Sequence, residues 1–433
     1  MKWYKKLHWQ IIIGLILGLI WGLLASVTGL NEFTTDYIKP FGTIFIAMLK
    51  LIAMPLVLVS LVVGVTSLND TTKLSRMGLK TVSIYAVTTV FAITIGLVAV
   101  NVLQPGKTLP AETTQKLQES YSASVDDRSA TAELVQNRGP LDVLVDIVPE
   151  NFFEAASNNS SMLQVVFVAI LLGIGIIQIG GSKAKTLVDV FDAFNDVIIR
   201  IVELIMLTAP YGVFALMASL IIDLAGDDLS QAFELLYALG WYCLTVILAL
   251  IVHVFVVYAS LFKFTSDMKL STFFRAIQPA MLLGFSTSSS SATLPVTMER
   301  VEKNLGVEDE VASFVLPIGA TVNMDGTSLY QAVAAVFIAQ ALGMDLTIAQ
   351  QLMIVLTATA ASIGAAGVPG AGIVMLVIVL EAIQVPTAGI ALILGVDRIL
   401  DMCRTTVNIT GDAAVSVAVA SSEGRLGSPN LDD

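Results

Sequence analysis

Five residues near the end of the chain, Asp397, Asp401, Arg404, Asn408 and Asp412, are separated by four, three, four and four positions. At about 100° per residue this spacing gathers all five on one stripe of a helix. They lie in DRILDMCRTTVNITGD, between the apolar run GIALILGV and the small-residue tail AAVSVAVA. A charge inside a membrane-length apolar helix costs on the order of 2.5–3.5 kcal/mol on insertion scales. The stripe must therefore face protein, ions or water. A salt-bridged structural helix is the plain alternative, but one arginine does not neutralise three carboxylates. Counting Arg398 as well still leaves the sum negative.

A second polar set is TVNMDGT, in which Thr321, Asn323, Asp325 and Thr327 surround Gly326. Gly319 and Gly326 favour unwound backbone with free carbonyls. Carbonyl, amide and carboxylate oxygens are what hard cations take as ligands. A kinked helix capped by Asn and Asp is the alternative. A third set is the hydroxyl run from Ser286 to Ser291, which includes Ser288, Ser289 and Ser290. Its hydroxyls and free backbone N–H groups suit a carboxylate, against the alternative of a polar linker. Tyr85, Thr88 and Thr89 share a helix face, which by itself reads as packing through small polar residues. His253 reads as a satisfied core or interface residue, and Lys50 as snorkelling or paired locally. Cys243 and Cys403 lie in apolar segments, so neither a disulfide framework nor a zinc site is expected.

These sets need helices in a membrane to hold them. The chain has 433 residues, 56% hydrophobic and 13% charged, with a mean hydropathy of +0.83. Soluble domains carry about 25% charged residues, so the composition is that of an all-α polytopic membrane protein. The net charge of −12 comes largely from acids in loops and near the C-terminus, and no basic patch points to nucleic acid. MKWYKKLHW followed by an apolar run mimics a signal peptide. No small-residue cleavage site follows, and a retained first helix is expected.

Spans of about 20 residues cross a bilayer. They are expected at 10–29, 41–67 and 81–103, followed by a polar surface loop at 104–138. An interrupted apolar region covers 139–181, and long helices cover 188–222, with a break near Pro210, and 231–262. Basic residues recur on one side: Lys2, Lys5 and Lys6, then Lys73, Arg76 and Lys80, then Lys183 and Lys185, then Lys263, Lys269 and Arg275. Glu32 and Asp36, then Asp223, Asp227 and Asp228, fall in the alternate loops. The positive-inside rule then puts the N-terminus in the cytoplasm.

Further on, the apolar pattern is cut by the serines around 276–298 and by ASIGAAGVPGAG, 361–372, around 352–382. Each half is too short to span. Irregular backbone at membrane depth is tolerated only against protein or a watery cavity. Each hairpin precedes a helix expected to be broken, first at Asn323–Thr327, then at Arg404–Asn408. The hairpins enter from opposite sides, so the repeat is inverted, a pattern that points to a transporter binding site.

SSSSATLPVT (288–297), NMDGTSLYQ (323–331), ASIGAAGVPGAG and DRILDMCRTTVNITGD together resemble the glutamate/aspartate transporter family, the dicarboxylate/amino acid:cation symporters. The resemblance covers nearly the whole chain. It implies eight transmembrane helices plus two opposed re-entrant hairpins, in a homotrimer of the plasma or cell inner membrane with both termini cytoplasmic. Scaffold helices fall in 1–80 and 139–230. A moving transport domain comprises 81–103 and 231–433, as in an elevator.

By the same resemblance, L-aspartate or L-glutamate meets Ser288, Ser289, Ser290, Thr327, Val368, Gly372, Arg398, Asp401, Arg404, Thr405 and Asn408. Co-transported sodium takes three sets. The first is Gly319, Asn323, Asn408 and Asp412. The second is Thr321, Ser362, Ile363 and Ala365, and the third is Tyr85, Thr88, Thr89, Asn323 and Asp325. Some prokaryotic relatives carry an arginine where this chain has Ser288, and Arg398 is expected to perform its task. Gln331 stands where mammalian members have a glutamate tied to proton and potassium coupling.

Charge argues for cations without the family. Asp325, Asp397, Asp401 and Asp412 outnumber Arg398 and Arg404 by two, and an acidic amino acid adds another negative charge. Net negative charge at membrane depth needs compensation, by sodium or by protons. Arg404 suits a side-chain carboxylate and Asp401 an α-ammonium; dicarboxylate carriers of the family that the chain resembles lack that acid, so the resemblance implies an acidic amino acid over a dicarboxylate. A proton-coupled or dicarboxylate carrier of the same fold and an anion-conducting channel are the alternatives. A hydrolase is disfavoured, because no GxSxG elbow surrounds the serines and the histidines, His8 and His253, lie far off in the sequence.

Overall fold

Along the first helix, α1 (Leu7–Thr28), Ile16, Leu17, Ile20, Leu24 and Val27 all face outward, as lipid-facing side chains do. The computed structural model describes residues 7–67, 75–110, 113–115, 148–157, 162–225, 229–363, 367 and 369–430. Most of the expected polar loop 104–138 lies outside these residues, as do Lys2, Lys5, Lys6, Lys73, Asp227 and Asp228. Nearly all the described chain is helical.

After α1 come α2 (Lys39–Ser67), α3 (Ser75–Leu103), α4 (Met162–Ile179), α5 (Gly181–Met206) and α6 (Ala209–Ala225). Next, α7 (Leu229–His253) runs through a π turn, Val254–Tyr258, into Ala259–Thr265. Two helical hairpins follow, separated by a broken helix. They are α8 (Leu270–Thr287) with α9 (Ser290–Glu299), and α12 (Ile348–Ile363) with α13 (Ala371–Ala382). Between them stand α10 (Asp309–Val322) and α11 (Asp325–Ala341), and α14 (Ile390–Ser422) closes the fold.

Among the described residues, four stretches are long and apolar enough to cross a membrane: Trp9–Thr28, Asn31–Thr66, Met77–Thr108 and Phe233–Thr265. The α5–α6 pair, bent by 51°, makes a fifth if taken as one span. Eight were expected. The α10–α11 pair and α14 carry Asn323, Asp325, Arg404 and Asp412 along their lengths, so apolar length alone cannot register them.

One expectation is corrected. The second broken helix, at Arg404–Asn408, is not broken: α14 runs uninterrupted for 33 residues. Its threonines hydrogen-bond back along the same helix, Thr406 Oγ1 to the Met402 carbonyl at 3.0 Å and Thr410 Oγ1 to that of Thr406 at 2.7 Å. Such back-bonding leaves the backbone ladder intact.

The helices sort into two packing groups. The first, α1, α2, α4, α5 and α6, pack chiefly on one another. Gly14, Gly18 and Gly22 form a stripe on α1 where any Cβ would strike the Pro210, Phe214 and Ala218 carbonyls of α6. This is the close approach that small residues at four-residue spacing allow. In the second group α3 packs on α11 and α7, while α7, α8, α10 and α11 all pack on α14. Every residue of α11 is buried.

Candidate functional site

The chain stops being helical at Val322 and resumes at Asp325. The backbone groups freed at this break find side-chain partners. Ser362 Oγ donates to the Val322 carbonyl at 3.1 Å and accepts from Met324 N at 3.1 Å. Gly326 N donates to Asn408 Oδ1 at 2.8 Å, and Asn408 Nδ2 reaches Thr327 Oγ1 at 3.2 Å and Met324 Sδ at 3.2 Å. Asn408 thus ties α14 to the start of α11. Asn323 Nδ2 donates to Asp412 Oδ1 at 2.8 Å and lies 3.4 Å from the Asn408 carbonyl, while its Oδ1 is buried without a partner.

On α14, Asp397, Arg398, Asp401 and Arg404 are each 5% exposed or less. Arg404 donates through Nη1 to Asp397 Oδ1 at 2.8 Å and through Nε to Asp401 Oδ1 at 2.9 Å. Arg398 Nη1 lies 3.4 Å from Asp401 Oδ2, which also accepts from Gly370 N at 3.2 Å. Two carboxylates and two guanidiniums make a neutral quartet when all are ionised. The Arg404 guanidinium lies 4.1 Å from the Tyr330 ring centroid, within cation–π range. A methyl on Gly372 would come within 2.8 Å of Arg404 Nη2, which lies 2.9 Å from Asp401 Oδ1.

Beside the quartet is a small polar cavity with about 10 Å³ of free volume, roughly room for one water molecule. Ser288, Ser290, Met324, Thr327, Gly367, Ala371, Gly372, Asp401, Thr405 and Asn408 line it. Both hairpins, α11 and α14 therefore contribute to one hollow. Ser288 takes the left-handed conformation, φ +53°, and its buried Oγ is unpaired. Ser289 does something else: its Oγ donates to the Gly367 carbonyl at 2.7 Å and caps α9 through Ala292 N. With Ser291 N also 3.2 Å from that carbonyl, the two hairpin tips join at Gly367.

Two further carboxylates flank the break. Asp412 meets Asn323, and Gly319 packs against Asp412 and the Tyr85 hydroxyl. Asp325, fully buried, accepts from Thr89 Oγ1 at 2.6 Å and Tyr258 OH at 2.9 Å. Among the described residues no lysine or arginine comes within 4 Å of either acid, though His253 Nε2 lies 3.3 Å from Asp325 Oδ2.

The remaining expected residues are less tightly gathered. Thr88 Oγ1 bonds its own helix at the Tyr85 carbonyl, 3.1 Å, and Thr321 Oγ1 does the same at Ile318, 3.0 Å. Ile363 ends α12. Val368 and Ala365 lie outside the described residues. Arg398 lines an adjoining, mainly apolar cavity with Ile11, Phe45, Leu49 and Met206, sharing Asp401 with the polar one. Ser288 lines the polar cavity and Arg398 the apolar one, and Asp401 borders both.

Sequence reasoning missed Tyr258, and it read His253 as a satisfied residue although neither ring nitrogen has a hydrogen-bond partner. The π turn Val254–Tyr258 aims both at Asp325, and such turns recur at functional sites. Periodicity alone cannot reveal it.

The sodium:dicarboxylate symporter family matches residues 7–422. A proton/sodium-glutamate symport protein of Geobacillus stearothermophilus is 36% identical over 420 residues, 97% of this chain and 95% of that protein. The proton/glutamate-aspartate symporter of Escherichia coli K12 is 33% identical over 96% of this chain and 92% of its own length. A C4-dicarboxylate transport protein of Bacillus subtilis is 34% identical over 98% and 95%.

Proposed function

The chain belongs to the sodium:dicarboxylate symporter family, and from that premise we propose that it carries an acidic amino acid, aspartate or glutamate, across the cell membrane together with sodium. The family and these relatives are transporters, not enzymes. The observation that carries the finer reading is the contrast between a neutral Asp/Arg quartet at the polar cavity and two acids, Asp325 and Asp412, that have no lysine or arginine partner among the described residues.

Asp401 already pairs with Arg404. An entering amino acid exchanges that pair: its α-ammonium takes Asp401 and its side-chain carboxylate takes the released edge of Arg404. A dicarboxylate has no ammonium and would leave Asp401 facing Arg398 alone, which supports an amino acid over succinate. Ser290, Thr327, Thr405 and Asn408 would hold the backbone carboxylate with neutral donors. The added negative charge is then compensated at the helix break. There the Asn323, Asp412 and Gly319 group, the Thr89 and Asp325 group, and the carbonyls around Ser362 offer oxygens suited to a hard cation. Cation and substrate tighten each other reciprocally.

Purified carrier in proteoliposomes should accumulate labelled aspartate only with an inward sodium gradient, with succinate competing poorly. Equal uptake in choline and sodium, at every pH, sinks the reading. Accumulation on a proton gradient alone would establish the second reading. The His253–Asp325 contact favours it, because a proton shared there compensates the same charge. Uptake that never exceeds equilibrium would indicate a channel.

In this reading α4, the α5–α6 pair, α10–α11 and α14 join the four apolar spans to make eight crossings, and the hairpins are re-entrant. The α3 and α7–α14 group slides as an elevator past α1, α2 and α4–α6. The largely apolar interface supports this, with Gly395 packed on Leu15 and Met217. The outward face of α5, including Phe194 at 58% exposure and Leu204 at 50%, supports a homotrimer seam within the bilayer. The basic loops support cytoplasmic termini.

A further inference from the structure

We propose that the C-terminal tail, Glu423–Asn430, is an intramolecular strap that holds the base of the first hairpin shut. It rests on the reading of α8–α14 as the moving body of the carrier. After α14 the tail turns at Gly424, φ +69°, and runs antiparallel to the loop that links the first hairpin to α10. Gly427 N donates to the Gly306 carbonyl at 2.7 Å, and Glu308 N to the Arg425 carbonyl at 3.2 Å. These two bonds bracket a β-bridge between Val307 and Leu426. One turn further, Asn430 N donates to the Asn304 carbonyl at 3.0 Å, and the buried Asn304 Nδ2 donates to the Asn430 carbonyl at 2.9 Å.

Gly306 is built for this contact. Its φ is +75°, and a Cβ there would press on the Ser428 carbonyl at 2.8 Å. Charged side chains flank the ladder. Arg425 pairs with Glu310 at the start of α10, and Lys80, near the start of α3, pairs with Glu423 and reaches Ser422 Oγ at 3.2 Å. These pairs are partly exposed and add little. The backbone ladder and the buried amide carry the strap. The result ties α3, the return arm of the first hairpin, α10 and α14 at one face. That hairpin then travels with the moving body and does not open there.

The test uses the full chain with Cys243→Ala and Cys403→Ala, carrying Val307→Cys and Leu426→Cys. The bridge is of the close, non-hydrogen-bonded kind, with Cα atoms about 4.5 Å apart, inside the range disulfides span. Mild oxidation is expected to link most molecules, and the linked carrier to take up aspartate as fast as the reduced one. In a second variant, stopped after Glu423, amide exchange across residues 301–307 is expected to rise at least tenfold. Absence of the link, or unchanged exchange in a folded truncated protein, overturns the strap. Loss of uptake on oxidation that a thiol reductant restores also overturns it, because the tail would then be a gate. If the link forms but neither form takes up aspartate with or without sodium, the strap stands and the transport reading falls. Should the truncated protein not fold, the cross-link and its uptake comparison decide alone.

Discussion

The two acidic regions of this molecule are built from the same residue type and differ in what they touch. Asp397 and Asp401 sit within 3 Å of Arg404, at 2.8 and 2.9 Å, and form part of a self-neutralised quartet on one unbroken helix. Asp325 and Asp412 sit beside a helix break among hydroxyls and amides, and among the described residues no lysine or arginine reaches them. Burial of an uncompensated charge is costly. In the proposed function the first region exchanges partners with a zwitterion, while the second takes the cation. Substrate choice and ion coupling are separable on this comparison, even though Asn408 connects them physically.

The largest effect should come from breaking the quartet. Arg404→Ala strands the buried Asp397 and leaves Asp401 to Arg398 alone, and removal of one partner from a buried pair costs about 3–5 kcal/mol. Aspartate affinity should fall at least about a hundredfold, measured by calorimetry on protein that still elutes as a folded species. A loss under about tenfold would dissolve the distinction between the regions. Next in size is Asp412→Asn, which keeps shape but removes charge. The sodium concentration for half-maximal aspartate binding should rise about tenfold, while the preference for aspartate over succinate stays within about twofold. Equal sodium dependence in mutant and parent, or a shift of substrate preference larger than the sodium effect, would erase the division of labour.

Much of this contrast could be read before any fold was known. The stripe from Asp397 to Asp412 was legible because helical periodicity brings residues four and three apart together, and α14 obeys it. The excess of acids over arginines was legible as a sum. Which acids are paired was not, since Asp325 lies on another helix and pairing is a matter of tertiary distance. The serine run marked the first hairpin tip correctly as a break. Its division of labour, with Ser288 and Ser290 lining the cavity while Ser289 grips Gly367, depends on a single left-handed residue. The expected break at Arg404–Asn408 failed for a physical reason: polar side chains on a helix need partners, and here neighbouring side chains supply them without disturbing the backbone.

The smallest predicted effect tests how the first region is held rather than what it binds. Arg404 is fixed at its edges by Asp397 and Asp401, and its face lies over Tyr330, a fully buried residue of α11. Tyr330→Leu keeps an apolar side chain in the site but removes the ring quadrupole. A cation–π contact of about 0.5–2 kcal/mol then translates into aspartate binding weaker by about 2- to 30-fold. Tyr330→Phe keeps the ring and should bind as the parent does. Sodium half-saturation should change in neither, because the ring touches the quartet and not the helix break. A Phe variant as impaired as the Leu variant would assign the role to the hydroxyl. A rise in sodium half-saturation matching the affinity loss would mean that the two regions act as one, and the comparison would no longer hold.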